Sequence, residues 1–330
     1  MSLMIFHDKD ISTRILNTQT ISIIGYGNQG RAQALNLRDS GFRVIIGNRN
    51  DKYRTLCHRD GFDALPISEA VRRGDVVMML VPDECQPELF EEQVVKNLRE
   101  GSTLVFASGF NIAFGLIKPP EFIDVIMVAP RMIGEGVRDN YTSGKGFPSF
   151  IGVAQDHSNH AKETALAIAK GIGSTKMGAI EVSFKQEAEL DLFTEQCFGP
   201  ALGQILTAAV MFLVEEGYPA PAVLLELYLS GELSYTLGRA AEAGLTGQMN
   251  LHSPTSQYGS LTRALRFAEI GPEIRNKMQE GLNEIRSGEF AKEWMREREL
   301  GYPTLKTIQG SLSDNPLSKL EKETLKLLSK

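Results

Sequence analysis

From Ile21 onward, apolar residues gather in short continuous runs: Ile21–Gly25, Val44–Gly47, Asp75–Val81, Ser102–Ala107, Asp124–Ala129 and Ser149–Ala154. Helix-compatible stretches lie between them at 67–73, 87–99 and 159–171. Near-continuous apolar strands alternating with helices predict a parallel sheet covered on both faces. Ligands of such sheets sit beyond the carboxyl ends of the strands. The residues just after each strand therefore become candidates: Pro82–Gln86, Ser108–Asn111 and Pro130–Glu135. After about residue 182 the period changes. Stretches 199–216, 220–243, 256–269, 272–287 and 290–300 carry helical spacing, and none reads convincingly as a strand.

The first strand runs into Gly25-Tyr26-Gly27-Asn28-Gln29-Gly30, with a helical stretch directly behind it. Strand, Gly-x-Gly-x-x-Gly, then helix is the context of a dinucleotide-binding turn. Gly25 permits the tight turn, Gly27 lets the backbone approach a pyrophosphate, and Gly30 lets helix and strand pack closely. The helix N-terminus offers its free N–H groups to the phosphates. The end of the next strand reads the ribose, where an acid suits NAD and arginine suits the extra phosphate of NADP. Here Arg49, Lys52 and Arg54 supply positive charge while Asp51 pulls the other way, and the balance favours NADP. The expectation is an α/β Rossmann-type domain over 1–182 and an all-α domain over 183–330.

A length of 330 residues exceeds what one hydrophobic core usually supports, in keeping with two domains. The formal charge is −6 with basic residues scattered, so no nucleic-acid footprint is visible. Cys57, Cys85 and Cys197 show neither metal spacing nor a disulfide framework and read as small apolar fillers. The N-terminus lacks the design of a signal peptide, and no apolar run reaches the ~20 residues of a membrane span. The expectation is a soluble cytoplasmic protein, with Met1-Ser2-Leu3 partly an expression scar. His157 and His160 read as a solvated loop, Trp294 as core and 317–330 as a packed last helix. His252 adjoins Ser253 and is placed to approach a substrate.

Asp191 and Glu195 are four residues apart, so on a helix both carboxylates leave one face. Leu190, Phe193 and Phe198 fall on other faces, which predicts apolar surroundings for the acids. Like charges at this spacing repel by a few tenths of a kcal/mol unless a cation sits between them. A solvated acidic face is the ordinary reading of such a pair in isolation. Glu226 follows Val223-Leu224-Leu225, an apolar setting that fits a core edge as well as a ligand role.

Three stretches taken together carry a resemblance: 25–41 from Gly25-Tyr-Gly-Asn-Gln-Gly, 81–86 in Val-Pro-Asp-Glu-Cys-Gln, and 191–196 in Asp-Leu-Phe-Thr-Glu-Gln. The chain resembles the ketol-acid reductoisomerases of the short type. The likeness covers almost the full length, through Gly217-Tyr218, Ser253…Gln257-Tyr258-Gly259, 287–294 and Gly301-Tyr302-Pro303. It implies a nucleotide domain followed by a knotted helical domain, in a homodimer whose active sites are shared, with Mg²⁺ bound between the domains. It also implies magnesium-dependent alkyl migration in a 2-hydroxy-2-alkyl-3-keto acid such as 2-acetolactate. NADPH then reduces the new 2-keto group, a step of branched-chain amino-acid biosynthesis. By the resemblance Tyr26, Gly27, Asn28, Gln29, Arg49, Asp83, Glu84, Cys85, Gln86 and Gly134 fall on NADP-contacting positions, joining Gly25, Gly30 and Lys52. Asp191 and Glu195 fall on metal carboxylates, Glu226 on a third drawn from the partner subunit, and Ser253 on a substrate-binding serine.

Three positions depart from the pattern. The family's histidine is Ser108, which has no group titrating near neutrality. Its lysine after the fifth strand is Arg131, which keeps the charge but replaces a compact ammonium with a planar fork. Its fourth metal carboxylate is Ser230, which leaves that residue to the substrate side. Glu232 faces elsewhere, and Glu135 is the nearest candidate to compensate. The resemblance and its departures together imply an intact fold, nucleotide site and at least one metal position, with altered acetolactate chemistry. Two other readings stay open: a reductase of another 2-keto acid or imine without isomerisation, and a non-catalytic nucleotide-binding protein.

Overall fold

The computed structural model describes residues 4–329, so the opening Met-Ser-Leu and Lys330 lie outside the described residues. The chain forms two compact units, Met1–Leu190 and Asp191–Lys330.

In the first unit nine strands make one sheet. They are β1 (Ile5–Phe6), β2 (Thr20–Ile24), β3 (Arg43–Gly47), β4 (Ala64–Leu65), β5 (Val76–Met79), β6 (Thr103–Phe106), β7 (Asp124–Pro130), β8 (Ser149–Gln155) and β9 (Ala179–Glu181). Their order is β1-β9-β8-β7-β6-β5-β2-β3-β4. Strands β2 to β7 pair in parallel. The strand order reverses beside β2, with β3 on one side and β5 on the other. That switch point opens a crevice at the carboxyl end of β2, where Gly25 begins.

The helices of this unit are α1 (Asn28–Asp39), α2 (Lys52–Arg59), α3 (Ile67–Arg73), α4 (Gln86–Leu89), α5 (Phe110–Ala113), α6 (Gly134–Thr142) and α7 (Ala161–Ile172). Successive strand residues face opposite sides. Ile23, Met78, Val105, Ile126 and Val128 pack with Leu35 and Leu37 of α1 and with Ala165 and Ile168 of α7. Ile24, Val77, Met79, Leu104, Phe106 and Met127 pack on the other side with Ala70, Val71, Phe90 and Phe184.

The sheet departs from the expected all-parallel arrangement on one flank, where β8 runs antiparallel to β7, with Pro130 opposite Ser149. The connection 131–148 carries α6, which packs on α1 instead of crossing the sheet. The chain therefore re-enters beside the end of β7, and the loop that begins at Arg131 stays at the carboxyl edge. Strand β1 adds antiparallel to β9.

The helix α8 (Phe184–Phe193) spans the division between the units. The second unit continues with α9 (Gly199–Glu215), α10 (Ala220–Leu224), α11 (Glu232–Ala243), α12 (Pro254–Arg263), α13 (Leu265–Ala268), α14 (Gly271–Ser287), α15 (Glu289–Glu299), α16 (Pro303–Leu312) and α17 (Pro316–Leu328). Among its described residues no strand occurs. The expected single helix over 220–243 is broken. A widened turn at Leu225–Leu229 leads to Gly231 at φ +84°, a left-handed conformation that stops a helix. A second widened turn, Thr194–Phe198, joins α8 to α9.

Val210, Val223 and Leu224 form a small core with Leu213, Leu317 and Leu320 beside it. Ile205, Phe212, Leu261, Leu265 and Phe267 stay exposed in the single chain. Leu190 and Phe198 are also exposed, so the apolar surroundings expected for Asp191 and Glu195 are not built by those two side chains within one chain. The helical run Phe184–Glu215 is long and apolar enough, by length and composition, to cross a membrane, a property the sequence reading did not assign to any segment. Trp294 is half-buried against Tyr302 rather than central to a core.

Candidate functional site

The glycine turn is built by close approach. Gly25 has φ +96°, and a Cβ there would lie 2.6 Å from Val81 Cγ1. A Cβ on Gly30 would lie 2.1 Å from the Gly25 carbonyl oxygen, so only glycine lets α1 start so near β2. Around Gly27 no heavy atom comes within 4 Å of a Cβ position, and its backbone is open to a phosphate. Gly134, at the start of α6, abuts the same turn, its Cβ position being 2.4 Å from the Asn28 carbonyl oxygen. Gln29 ties the two loops, its Nε2 donating to the Met132 carbonyl at 2.9 Å. Asn28 itself is exposed at the tip.

Tyr26 lies on the turn by its backbone alone. Its ring is buried edge-on to Phe62, and its hydroxyl donates to Asp60 at 3.0 Å. Burial and then that hydrogen bond push the phenol pKa upward, while the Arg31 guanidinium holds Asp60 below the usual carboxylate range. This Tyr26–Asp60–Arg31 cluster is not legible from spacing, because Asp60 lies 34 residues from Tyr26.

At the end of β3, Asp51 accepts from the Tyr53 N–H and so caps α2, and it also accepts from Asn48 Nδ2. Its other oxygen holds Arg49 Nε at 2.8 Å, while the Arg49 side chain remains 81% exposed. Burial works to raise the Asp51 pKa, but the hydrogen bonds from Arg49, Tyr53 and Asn48 hold it below its ordinary value. The acid and the arginine are thus paired with each other just after β3. Asp51→Asn keeps the cap and frees Arg49. The ratio of kcat/KM with NADPH to that with NADH is expected to rise about tenfold, or ~1.4 kcal/mol. Steady-state kinetics with both cofactors measures it, and an unchanged ratio would refute the role given to Asp51.

The loops after β5, β6 and β7 converge. Asp83–Cys85 make one tight helical turn, with Glu84 and Cys85 half-buried, and Gln86 donates to the Val81 carbonyl at 2.9 Å. Buried Asn111 donates to the Asp83 carbonyl at 3.0 Å and to Gln86 Oε1 at 3.1 Å. Ser108 Oγ accepts from the Phe110 N–H at the start of α5. Beneath this loop lies Glu187 of α8, fully buried. Its Oε2 accepts from the Gly109 N–H at 2.5 Å, and its Oε1 accepts from Arg131 Nη2 at 2.7 Å. The Arg131 guanidinium carbon stands 4.9 Å from the Phe150 ring centre, and its Nε donates to the Ala129 carbonyl at 3.3 Å. Ser108 and Arg131 are thereby brought together through a glutamate that the sequence reading did not select.

In the second unit Asp191 is half-buried at the end of α8, and Glu195 is exposed on the widened turn that follows. Widened turns of this kind concentrate at functional sites. Glu226 is exposed on the other widened turn, and Ser230 sits at its end, just before Gly231. Among the described residues no three His, Cys, Asp or Glu side chains gather as a metal group. Ser253 caps α12 by accepting from the Ser256 N–H, while His252 is engaged by Gln248 at 2.8 Å. His157 and His160 mark the turn before α7, and Glu163 approaches His160 there.

Comparison with known proteins places both units. Residues 15–178 match the family "Acetohydroxy acid isomeroreductase, NADPH-binding domain", and 184–330 match "Ketol-acid reductoisomerase, C-terminal domain". The chain belongs to the ketol-acid reductoisomerase family. A ketol-acid reductoisomerase (NADP(+)) from Pyrobaculum aerophilum is 43% identical, covering 98% of each chain. One of the same description from Methanocaldococcus jannaschii is 41% identical, covering 98% of this chain and 97% of that one. The solved structure of an NADH-preferring ketol-acid reductoisomerase from an uncultured archaeon is 38% identical, with a TM-score of 0.93 over 99% of this chain and 100% of that one. The open backbone at Gly27 and the free N-terminus of α1 suit a dinucleotide, and the hard carboxylate oxygens of Asp191, Glu195 and Glu226 suit Mg²⁺.

Proposed function

We propose that this ketol-acid reductoisomerase acts, with NADP(H) and Mg²⁺, on 2-acetolactate-type acids in branched-chain amino-acid biosynthesis, in the cytoplasm. One observation carries the reading: the segment Asp83–Gln86, the Ser108 loop and the Arg131 cation are joined into one surface at the carboxyl edge of the sheet. A cation beside a nucleotide segment is what an anionic oxo acid needs in order to meet a hydride donor. Bound NADPH supplies the hydride, and bound Mg²⁺ polarises the oxygens that exchange charge during an alkyl shift.

The protein's own groups do the rest. Gly25–Gly30 and the start of α1 bind the pyrophosphate, and Arg49 and Lys52 face the ribose phosphate. Arg131 binds and orients the acid, holding charge without releasing a proton because its guanidinium stays protonated. The Ser108 hydroxyl donates a hydrogen bond to a substrate oxygen. Asp191 and Glu195 hold the metal, with Glu226 and Ser253 supplied by a second copy of the chain. The bare faces of α9, α12 and α13 support such a homodimer, since a single chain leaves Phe212, Leu261 and Leu265 in water. The apolar run of α9 is then an interface helix.

Ser108, Arg131 and Ser230 together favour a second reading, reduction of a preformed 2-keto acid without migration. Purified protein is assayed for NADPH oxidation with 2-acetolactate and with a preformed 3-hydroxy-2-keto acid, with and without Mg²⁺. Turnover of both supports the first reading, with 2-acetolactate slower by at least about tenfold for want of an imidazole base. Turnover of the preformed acid alone establishes the second. No turnover with NADPH still bound would overturn both.

A further inference from the structure

We infer that Asn48 is a positioning residue that locks the Arg49 loop to the glycine turn, and that it thereby raises the preference for NADPH over NADH. The inference rests on the reading above that Gly25–Gly30 bind the pyrophosphate and that Arg49 faces the ribose phosphate.

Asn48 follows β3 directly and is buried. Its backbone is held in place, with its own N–H donating to the Leu65 carbonyl at 3.1 Å and the Gly25 N–H donating to the Gly47 carbonyl at 2.9 Å. From there the side chain reaches in two directions. Oδ1 accepts from the Tyr26 N–H, inside the glycine turn, at 3.2 Å. Nδ2 donates to the Arg49 carbonyl at 2.9 Å and to Asp51 Oδ1 at 3.0 Å. An amide carries an acceptor and a two-proton donor on one short arm. A carboxylate in its place would set oxygen against the Arg49 carbonyl and Asp51, and a hydroxyl has one proton for the two acceptors.

The link closes a circuit around α2. Asp51 caps one end of that helix through the Tyr53 N–H, and Asp60, at the other end, accepts from the Tyr26 hydroxyl at 3.0 Å. Arg38 of α1 holds that second end by donating to the Asp60 carbonyl. Tyr26 is therefore tied to both ends of α2, by its backbone through Asn48 and by its hydroxyl through Asp60. The loop between β3 and α2 thus has a fixed position relative to the glycine turn before any ligand arrives. A loop placed in advance loses less freedom on binding, and that gain goes to affinity.

NADPH alone draws on the whole circuit. Its extra phosphate needs Arg49, whose carbonyl Asn48 holds, whereas NADH brings no anion to that arginine. Loss of Asn48 frees the backbone that carries Arg49. Asp51→Asn, by contrast, frees only the Arg49 side chain and leaves an oxygen for Asn48 Nδ2. The two substitutions are therefore expected to move the cofactor preference in opposite directions.

Asn48→Leu, which removes all three hydrogen bonds, and Asn48→Ser, which keeps a small polar group, test this on the full-length protein. Measurements are the Kd for NADPH and for NADH by fluorescence titration, and amide hydrogen exchange over 24–28 and 49–54. In both variants the Kd for NADPH is expected to rise about tenfold, the scale of one hydrogen bond to a charged group, and that for NADH by less than about threefold. Exchange is expected to accelerate in both segments together, since one side chain serves both. If Asn48→Leu does not fold, Asn48→Ser must show the same pattern.

A ratio of the two dissociation constants within about twofold of the parent would overturn the proposal, because a merely structural role weakens both dinucleotides equally. Acceleration in one segment only would overturn it too, since the two loops would then be independent. If the parent bound neither dinucleotide, the functional reading would fall and the preference with it. Joint acceleration would then still uphold the lock, and acceleration of one segment would overturn it.

Discussion

Replacing Arg131 with methionine is expected to lower the melting temperature of the nucleotide-binding unit by about 10 °C. The substitution takes the guanidinium away from a carboxylate that is 0% exposed, while Arg131 itself is largely covered. Removing one partner of a buried ion pair costs about 3–5 kcal/mol, because the remaining charge has lost both water and counter-ion. For a unit of this size each kcal/mol moves the transition by about 2–4 °C. The double variant Arg131→Met with Glu187→Gln removes both charges and is expected to recover at least about half of the loss, since a neutral amide can still accept from the Gly109 N–H. Circular dichroism melting of the parent, the two single variants and the double variant measures the coupling. Simple additivity would show that Arg131 and Glu187 act independently and that the pair does not hold the loop.

The nucleotide turn was legible because its demands are local. Gly25 and Gly30 are glycines for reasons of a few ångströms, and their spacing states that directly. The helices after Phe184 were legible because apolar residues at helical spacing do not depend on what they pack against. The direction of β8 was not legible. It is set by α6 packing on α1, more than a hundred residues earlier in the chain, and β8 itself has the same apolar content in either orientation. The break at Gly231 was missed because one glycine inside a helical pattern is compatible with continuation, and only its left-handed φ ends the helix.

Glu187 was the costliest omission. In Lys185-Gln186-Glu187-Ala188 it reads as a surface residue, and its burial comes from the Ser108 loop folding over it. One signal was present: Glu187, Asp191 and Glu195 form a row at intervals of four, of which the sequence reading used only the last two.

The row also sets the largest effect expected on activity. Asp191→Asn should reduce magnesium-dependent turnover of 2-acetolactate by more than about 100-fold, the upper end for losing an outer-shell partner of a metal ligand. The substitution keeps an oxygen in place but removes its charge, and affinity for a hard cation follows ligand charge. The Mg²⁺ concentration for half-maximal rate should therefore rise at least about tenfold, with NADPH affinity unchanged because the glycine turn belongs to the other unit. The reverse change is available on the same chain. Ser230 is exposed one turn after Glu226, at the end of the widened turn and before the break at Gly231. Ser230→Glu adds the missing carboxylate and should lower the half-maximal Mg²⁺ concentration. Titration of initial rates with Mg²⁺ across the parent, Asp191→Asn and Ser230→Glu gives the ordering directly. Identical Mg²⁺ dependence in all three would remove these residues from the metal site, whereas opposite shifts would show that ligand charge at Asp191 and at position 230 controls the migration step.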